Sequence, residues 1–152
     1  MNKLKLLLIQ PTKIMDDGSL WKSKMPWLPR MALAQLAAIT PEDIETTIVD
    51  EYTDNIDFNQ DADLVAISTI TLEAPRAYQI ASEFRKRGKK TIMGGIHASL
   101  LPEEAQQSVD SVVIGEAEGI WDEVLSDVRW GQLKPHYQNS TKIDIAFLPS
   151  PK

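Results

Sequence analysis

The chain has 152 residues, 43% hydrophobic and 25% charged, which suits one ordinary globular domain with a substantial core. Its 22 acidic against 16 basic side chains give a formal charge of -6, a balance that disfavours nucleic acid as a partner. The absence of cysteine excludes disulfides, thiolate nucleophiles and a cysteine-held iron–sulfur cluster; apolar runs such as Leu6–Ile9 are far below the roughly 20 residues that cross a bilayer, and a cytoplasmic domain with no signal peptide is expected.

The first predicted strand is Leu4–Ile9, an apolar run suited to a strand buried on both faces. A long connection follows, roughly Pro11 to Leu28, and loops beyond about 12 to 15 residues in a compact domain are usually functional or disordered. It holds Met15, Leu20, Trp21, Met25, Pro26, Trp27 and Leu28, apolar groups expected to cover a flat ligand, a partner domain or the sheet edge, the first two being preferred. A helix is predicted from about Arg30 to Ala38, ended by Pro41, and a second strand at Thr46–Val49. The Asp- and Asn-rich stretch after it reads as a loop.

The third strand, Leu64–Ile67, runs into Ser68-Thr69-Ile70-Thr71. Those hydroxyls either bind ligand amides or phosphate, or satisfy local backbone groups and cap the next helix, and the two readings weigh about equally. The clearest helix comes next, with Pro75 in its first turn, Ala77, Ile80, Ala81 and Phe84 on one face, and Gly88 as its stop. Arg85, Lys86 and Arg87 read as a solvated helix end favoured by the helix dipole. After the fourth strand, Thr91–Met93, comes Gly94-Gly95-Ile96-His97. Paired glycines allow close approach to the backbone or supply positive φ; His97 either donates to a phosphate or amide or ties down its own loop, with metal binding ranked last because no second His or Cys clusters with it. A short helical turn is predicted at Pro102 with Glu103 and Glu104.

The fifth strand, Val112–Ile114, leads into Gly115-Glu116-Ala117-Glu118-Gly119 and a last helix carrying Ile120, Trp121, Val124, Leu125 and Val128 on one face. One of the two carboxylates can accept hydrogen bonds from ligand hydroxyls or amides while the other favours the helix start; a general acid and base pair lacks a nucleophile or metal to serve. His136 and Tyr137 fall in an ordered loop or linker and are given no role. Alternating strands and helices predict an α/β, doubly wound parallel sheet of Rossmann-like or flavodoxin-like type, five strands in order 2-1-3-4-5 with helices on both faces. Ligands in such sheets lie beyond the carboxyl ends of the strands.

Taken together, these loops resemble the cobalamin-binding domain that precedes the radical SAM core in a large enzyme family. Pro29-Arg30-Met31-Ala32-Leu33-Ala34-Gln35-Leu36-Ala37-Ala38 is similar to that family's first helix, and Ile67-Ser68-Thr69 to the end of its third strand. The most specific match is the succession Gly94-Gly95-Ile96-His97, Pro102-Glu103-Glu104 and Gly115-Glu116-Ala117-Glu118, in order and approximate spacing. Leu148-Pro149-Ser150-Pro151 resembles the linker into the radical SAM barrel, so residues 1–145 are read as the domain and 146–152 as the start of that linker.

The resemblance implies that the nucleotide tail of cobalamin lies beside the carboxyl ends of the central strands and the corrin ring rests over the loops. Ser68, Thr69, Gly94, Gly95 and Gly115 would line the tail groove, with Thr71, His97, Glu116 and Glu118 as further cofactor-binding candidates. Pro11 and Thr12 would lie beneath the ring, and Trp21 or Trp27 would cover it. No catalytic residue and no metal-ligating residue is assigned. S-adenosylmethionine and a 4Fe–4S cluster would belong to a C-terminal radical SAM domain of the same polypeptide, of methyltransferase or cyclase type. Methionine-synthase and mutase type domains carry D-x-H-x-x-G after the first strand, whose His ligates cobalt. Here that stretch reads Gln10-Pro11-Thr12-Lys13-Ile14-Met15, as is common in the radical SAM branch.

Two other readings compete. The same fold with its cofactor lost would act as a structural or substrate-recognition domain. A receiver-type signalling domain needs an acidic cluster after the first strand, an Asp ending the third and a Lys after the fifth, where this chain has Asp16 and Asp17 too late, Ser68, and Glu116.

Overall fold

A computed structural model describes residues 3–25 and 31–139, with residues 144, 146 and 148–151. Pro26 to Arg30, and with them Trp27, lie outside the described residues. The elements run β1 (Lys5–Gln10), α1 (Met31–Ile39), β2 (Glu45–Asp50), β3 (Leu64–Ser68), a 3-10 turn (Thr71–Glu73), α2 (Ala74–Lys86), β4 (Lys90–Gly94), α3 (Ile96–Leu100), α4 (Pro102–Gln106), β5 (Ser111–Ile114), α5 (Trp121–Arg129) and β6 (His136–Gln138).

The sheet is wholly parallel in the order β2-β1-β3-β4-β5-β6. The doubly wound fold and the order of the first five strands are as expected, but the sheet has six strands, not five. The tail expected to be a loop or linker supplies the sixth: His136 pairs with Val112, Tyr137 with Val113 and Gln138 with Ile114. Only Tyr137 points inward, 4% exposed between two exposed neighbours. A three-residue strand with one wet side carries almost no apolar signal.

Alternation along each strand divides the core in two. Leu6, Leu8, Leu64, Ala66, Ile92 and Val113 pack with Leu33 and Ala37 of α1 and with Trp121, Val124 and Leu125 of α5. Leu7, Ile9, Val65, Ile67, Met93 and Val112 face the other way, against Ala77, Ile80, Ala81 and Phe84 of α2 and the small residues Ala98 and Ala105 of α3 and α4. Each fully buried aliphatic side chain contributes about 1.5–3 kcal/mol, and this opposed pair of apolar layers is what fixes strand register. The connection from β2 to β3 has no helix, as the sequence predicts. At the strand ends Ser68 lies beside Gly94, so β3 and β4 finish level at the rim where the loops gather.

Candidate functional site

A cavity of about 140 Å³ opens at the carboxyl rim of β3, β4 and β5, on the α1 and α5 side. Ala32, Leu33 and Leu36 of α1 form one wall, and Ala66, Ile92 and Val113 the sheet side. Trp121, 2% exposed, contributes at the start of α5. Its Nε1–H donates to Thr40 Oγ1 at 2.9 Å, and the Thr40 hydroxyl donates to the Leu36 carbonyl at 2.6 Å, so the indole is held by the end of α1. Polar groups enter the lining at the strand ends: Ser68 after β3, Gly94 and Gly95 after β4, Gly115 and Glu116 after β5.

Each glycine has its own reason. A side chain on Gly94 would first meet Val113 Cβ at 3.7 Å, an ordinary contact, so the backbone tolerates one there and only the cavity loses space. Gly95 is different: φ is +96, and a Cβ would sit 2.6 Å from the Thr69 carbonyl oxygen and 2.9 Å from the Thr69 nitrogen. The Thr69 N–H donates to Gly94 O and the His97 N–H to Thr69 O, so this glycine lets two strand-end loops touch. Gly115, at φ +82, donates its N–H to Ser99 Oγ at 2.9 Å.

Of the eleven residues singled out from the sequence, Ser68, Gly94, Gly95, Gly115 and Glu116 therefore meet at one cavity. Glu118 is in the same loop as Glu116 but outside the lining. Thr69 is buried and its hydroxyl donates to the neighbouring Ile70 carbonyl, a local backbone contact. His97, 2% exposed, does not sit in a loop but in α3, with Nδ1 3.3 Å from Thr71 Oγ1 and Nε2 2.6 Å from the Tyr78 hydroxyl. Tyr78 donates its one proton to Glu104 Oε1 at 2.6 Å. That assigns the His97 proton to Nε2, pointing at the Tyr78 oxygen, and leaves Nδ1 to accept from Thr71. Burial, and then the Glu104 carboxylate, push the Tyr78 phenol above its ordinary pKa.

Pro11 and Thr12 are both buried. The Thr12 hydroxyl donates to the Trp21 carbonyl, and its N–H to Glu51 Oε2 at 3.2 Å. Within the described part of the long connection after β1, residues 13–21 form a small hairpin bridged by Ile14 and Leu20, with Gly18 at φ +83 in its turn. Trp21 stands edge-on to Tyr52, ring centroids 5.3 Å apart, with Lys13 Nζ 5.0 Å from its ring centre. Its ring is thus spent on the segment after β2, and it is not among the residues that line the cavity.

Sequence reasoning missed a buried polar cluster at the neighbouring part of the rim. Gln10, ending β1, donates from Nε2 to Glu73 Oε2 at 2.8 Å, and the Tyr52 hydroxyl donates to Glu73 Oε1 at 2.6 Å. Glu51, 1% exposed, receives Arg76 Nε at 3.0 Å to both of its oxygens, and Arg76 Nη2 as well. The Gln10–Glu73 bond ties the end of β1 to the 3-10 turn after β3, beside the place where strand order reverses, and the open volume lies at β3, β4 and β5 instead. A charged residue within an apolar helix start, such as Glu73 just before Ala74-Pro75, was the available signal.

Residues 27–125 match the family described as the B12 binding domain. The chain belongs to that family. Bacteriochlorophyllide d C-8(2)-methyltransferase of Chlorobaculum tepidum is 44% identical over 126 residues, covering 82% of this chain and 27% of that protein. Bacteriochlorophyllide d C-12(1)-methyltransferase of the same organism is 34% identical over 157 aligned positions, 99% of this chain and 33% of that protein. This B12-binding domain thus spans about a third or less of the curated relatives it matches. Among solved structures, the N-terminal domain of a hypothetical protein of Thermotoga maritima is 23% identical over half of this chain and 61% of its own, with a TM-score of 0.43. The residues present suit the family's ligand: an apolar slot with a hydroxyl, a carboxylate and three glycines at its mouth can take a long group with one apolar and one polar end. No helix among the described residues is long and apolar enough to cross a membrane.

Proposed function

We propose that this chain is the cobalamin-carrying domain of a cobalamin-dependent radical SAM enzyme of methyltransferase type, and that the nucleotide tail enters the cavity between α1, α5 and the sheet. The observation that carries this reading is the open apolar slot at the rim, lined by Ser68, Gly94, Gly95, Gly115 and Glu116. The Ser68 hydroxyl would donate to the phosphate, Glu116 would accept from a ribose hydroxyl, and the corrin ring would lie over the rim beside Thr71. Thr69, His97, Pro11 and Thr12 would shape the rim from beneath, and Glu118 would border its edge. When bound, cobalamin supplies a cobalt centre able to carry a methyl group.

Binding would occur without a protein histidine on cobalt. The chain has two histidines. His97 is buried with both ring nitrogens engaged, and His136 opens β6 at the opposite end of the strand from the rim. Residues 1–145 would form the carrier and 146–152 begin the connection to a C-terminal radical SAM domain holding S-adenosylmethionine and a 4Fe–4S cluster, in the cytoplasm. Both relatives are longer proteins named as methyltransferases, which favours methyl transfer over cyclisation.

Purified protein mixed with hydroxocobalamin and freed of excess ligand should retain corrin absorbance of base-off type. A flow-through carrying all the corrin, at ligand concentrations up to the millimolar range, rejects the proposal.

A further inference from the structure

Resting on the reading that the cavity takes the nucleotide tail, we infer that it selects among cobamides by the polarity of their lower base, admitting an apolar benzimidazole and disfavouring a purine with an exocyclic amine. The interior of the slot is walled by aliphatic side chains, Leu33, Leu36, Ala66, Ile92 and Val113 among them. The polar atom of its aromatic residue is already used: Trp121 Nε1–H is bound to Thr40, whose own proton is bound to the Leu36 carbonyl. The strand backbones beneath are consumed by the parallel ladder between β3, β4 and β5. The polar side chains of the lining, Ser68 and Glu116, stand at the strand ends, within reach of a ribose rather than of a base pushed inward.

Size agrees with this assignment. A volume of about 140 Å³ is close to that of an apolar cavity of about 150 Å³ that binds benzene, so the slot has room for one compact aromatic group against its aliphatic walls. An adenine carried into that space keeps an amine and ring nitrogens with no partner, whereas dimethylbenzimidazole brings methyl groups that match the walls. Leaving a buried donor unpaired lowers affinity by about tenfold to a hundredfold.

The test compares three corrinoids on the full chain by equilibrium dialysis, read by corrin absorbance: cobalamin, adeninylcobamide, and cobinamide, which has no nucleotide. Cobalamin should bind at least about tenfold tighter than adeninylcobamide, with cobinamide weaker than cobalamin. Equal binding of the two nucleotide-bearing forms, both tighter than cobinamide, would keep the tail in the slot and overturn the selection. Cobinamide binding as tightly as cobalamin, or no binding of any corrinoid, would instead remove the tail-groove reading and the selection with it. Leu36→Asn, which puts an amide in the α1 wall, should shrink the preference for cobalamin; an unchanged ratio in a variant whose circular dichroism matches the wild type counts against the inference. If that variant fails to fold, the wild-type ratio alone decides.

Discussion

Gly94 separates two jobs that glycine does at this rim. Its neighbour Gly95 is required by the chain itself, because any Cβ there collides with the Thr69 backbone at positive φ. Gly94 has room for a side chain against Val113, and what that side chain would fill is the cavity. Gly94→Val should therefore leave the far-UV circular dichroism and melting temperature nearly unchanged while abolishing retention of corrin in the dialysis experiment; retention by a folded G94V protein would show that the slot is not used. The sequence points to the glycine pair but does not separate its members, since the Thr69 backbone that Gly95 meets comes from the segment just after β3, on the far side of α2 along the chain. In the same way the hydroxyls of Ser68, Thr69 and Thr71 look equivalent as letters, yet only Ser68 lines the slot. Thr69 turns to its own backbone and Thr71 to His97.

Among the elements, α2 is the most legible. Its apolar residues repeat at helical spacing, Pro75 opens it and Gly88 closes it, and Ala77, Ile80, Ala81 and Phe84 are all buried as that spacing requires. Strand β6 is the opposite case: one inward residue, Tyr137, held by packing and by its hydroxyl, which donates to Asp127 Oδ2 at 2.7 Å and accepts from the Lys134 N–H at 3.1 Å. Burial is the main cause that pushes the Tyr137 phenol up to about 12, with Asp127 adding to it. A phenol whose pKa is higher folded than unfolded stabilises the fold fully below its ordinary value of about 10. That contribution fades as pH rises toward 12. Urea unfolding should accordingly show stability falling between pH 10 and 12, and Tyr137→Phe should flatten that part of the profile; an identical slope in both proteins would mean that β6 is not anchored through this hydroxyl.

At the scale of the whole molecule, the topology follows from alternating apolar runs and helical faces, but the location of the open volume does not. A doubly wound sheet has its crevice where strand order reverses, between β1 and β3, and here that place is occupied by Gln10, Glu73 and Tyr52, with the Glu51–Arg76 pair beside it. Apart from Glu73 at an apolar helix start, such a cluster leaves little trace in sequence because its members come from three separate segments. Glu51 is 1% exposed, so Arg76→Ala leaves a carboxylate buried without its counter-ion. Stability should drop by about 3–5 kcal/mol in urea titrations, while Arg76→Lys, which keeps the charge but loses the fork, should recover part of it. A loss below about 1 kcal/mol would show that the pair is a surface contact in solution.

The sixth strand also changes the mechanics of the molecule. Without it β5 would be an edge, free to peel; with it, β5 is laced on both sides, and the slab under the slot behaves as a fixed anvil. Any stretching needed to admit a bulkier guest must then come from the two helices that clasp it from above, α1 and α5, which the Trp121–Thr40 indole-to-hydroxyl link helps to join.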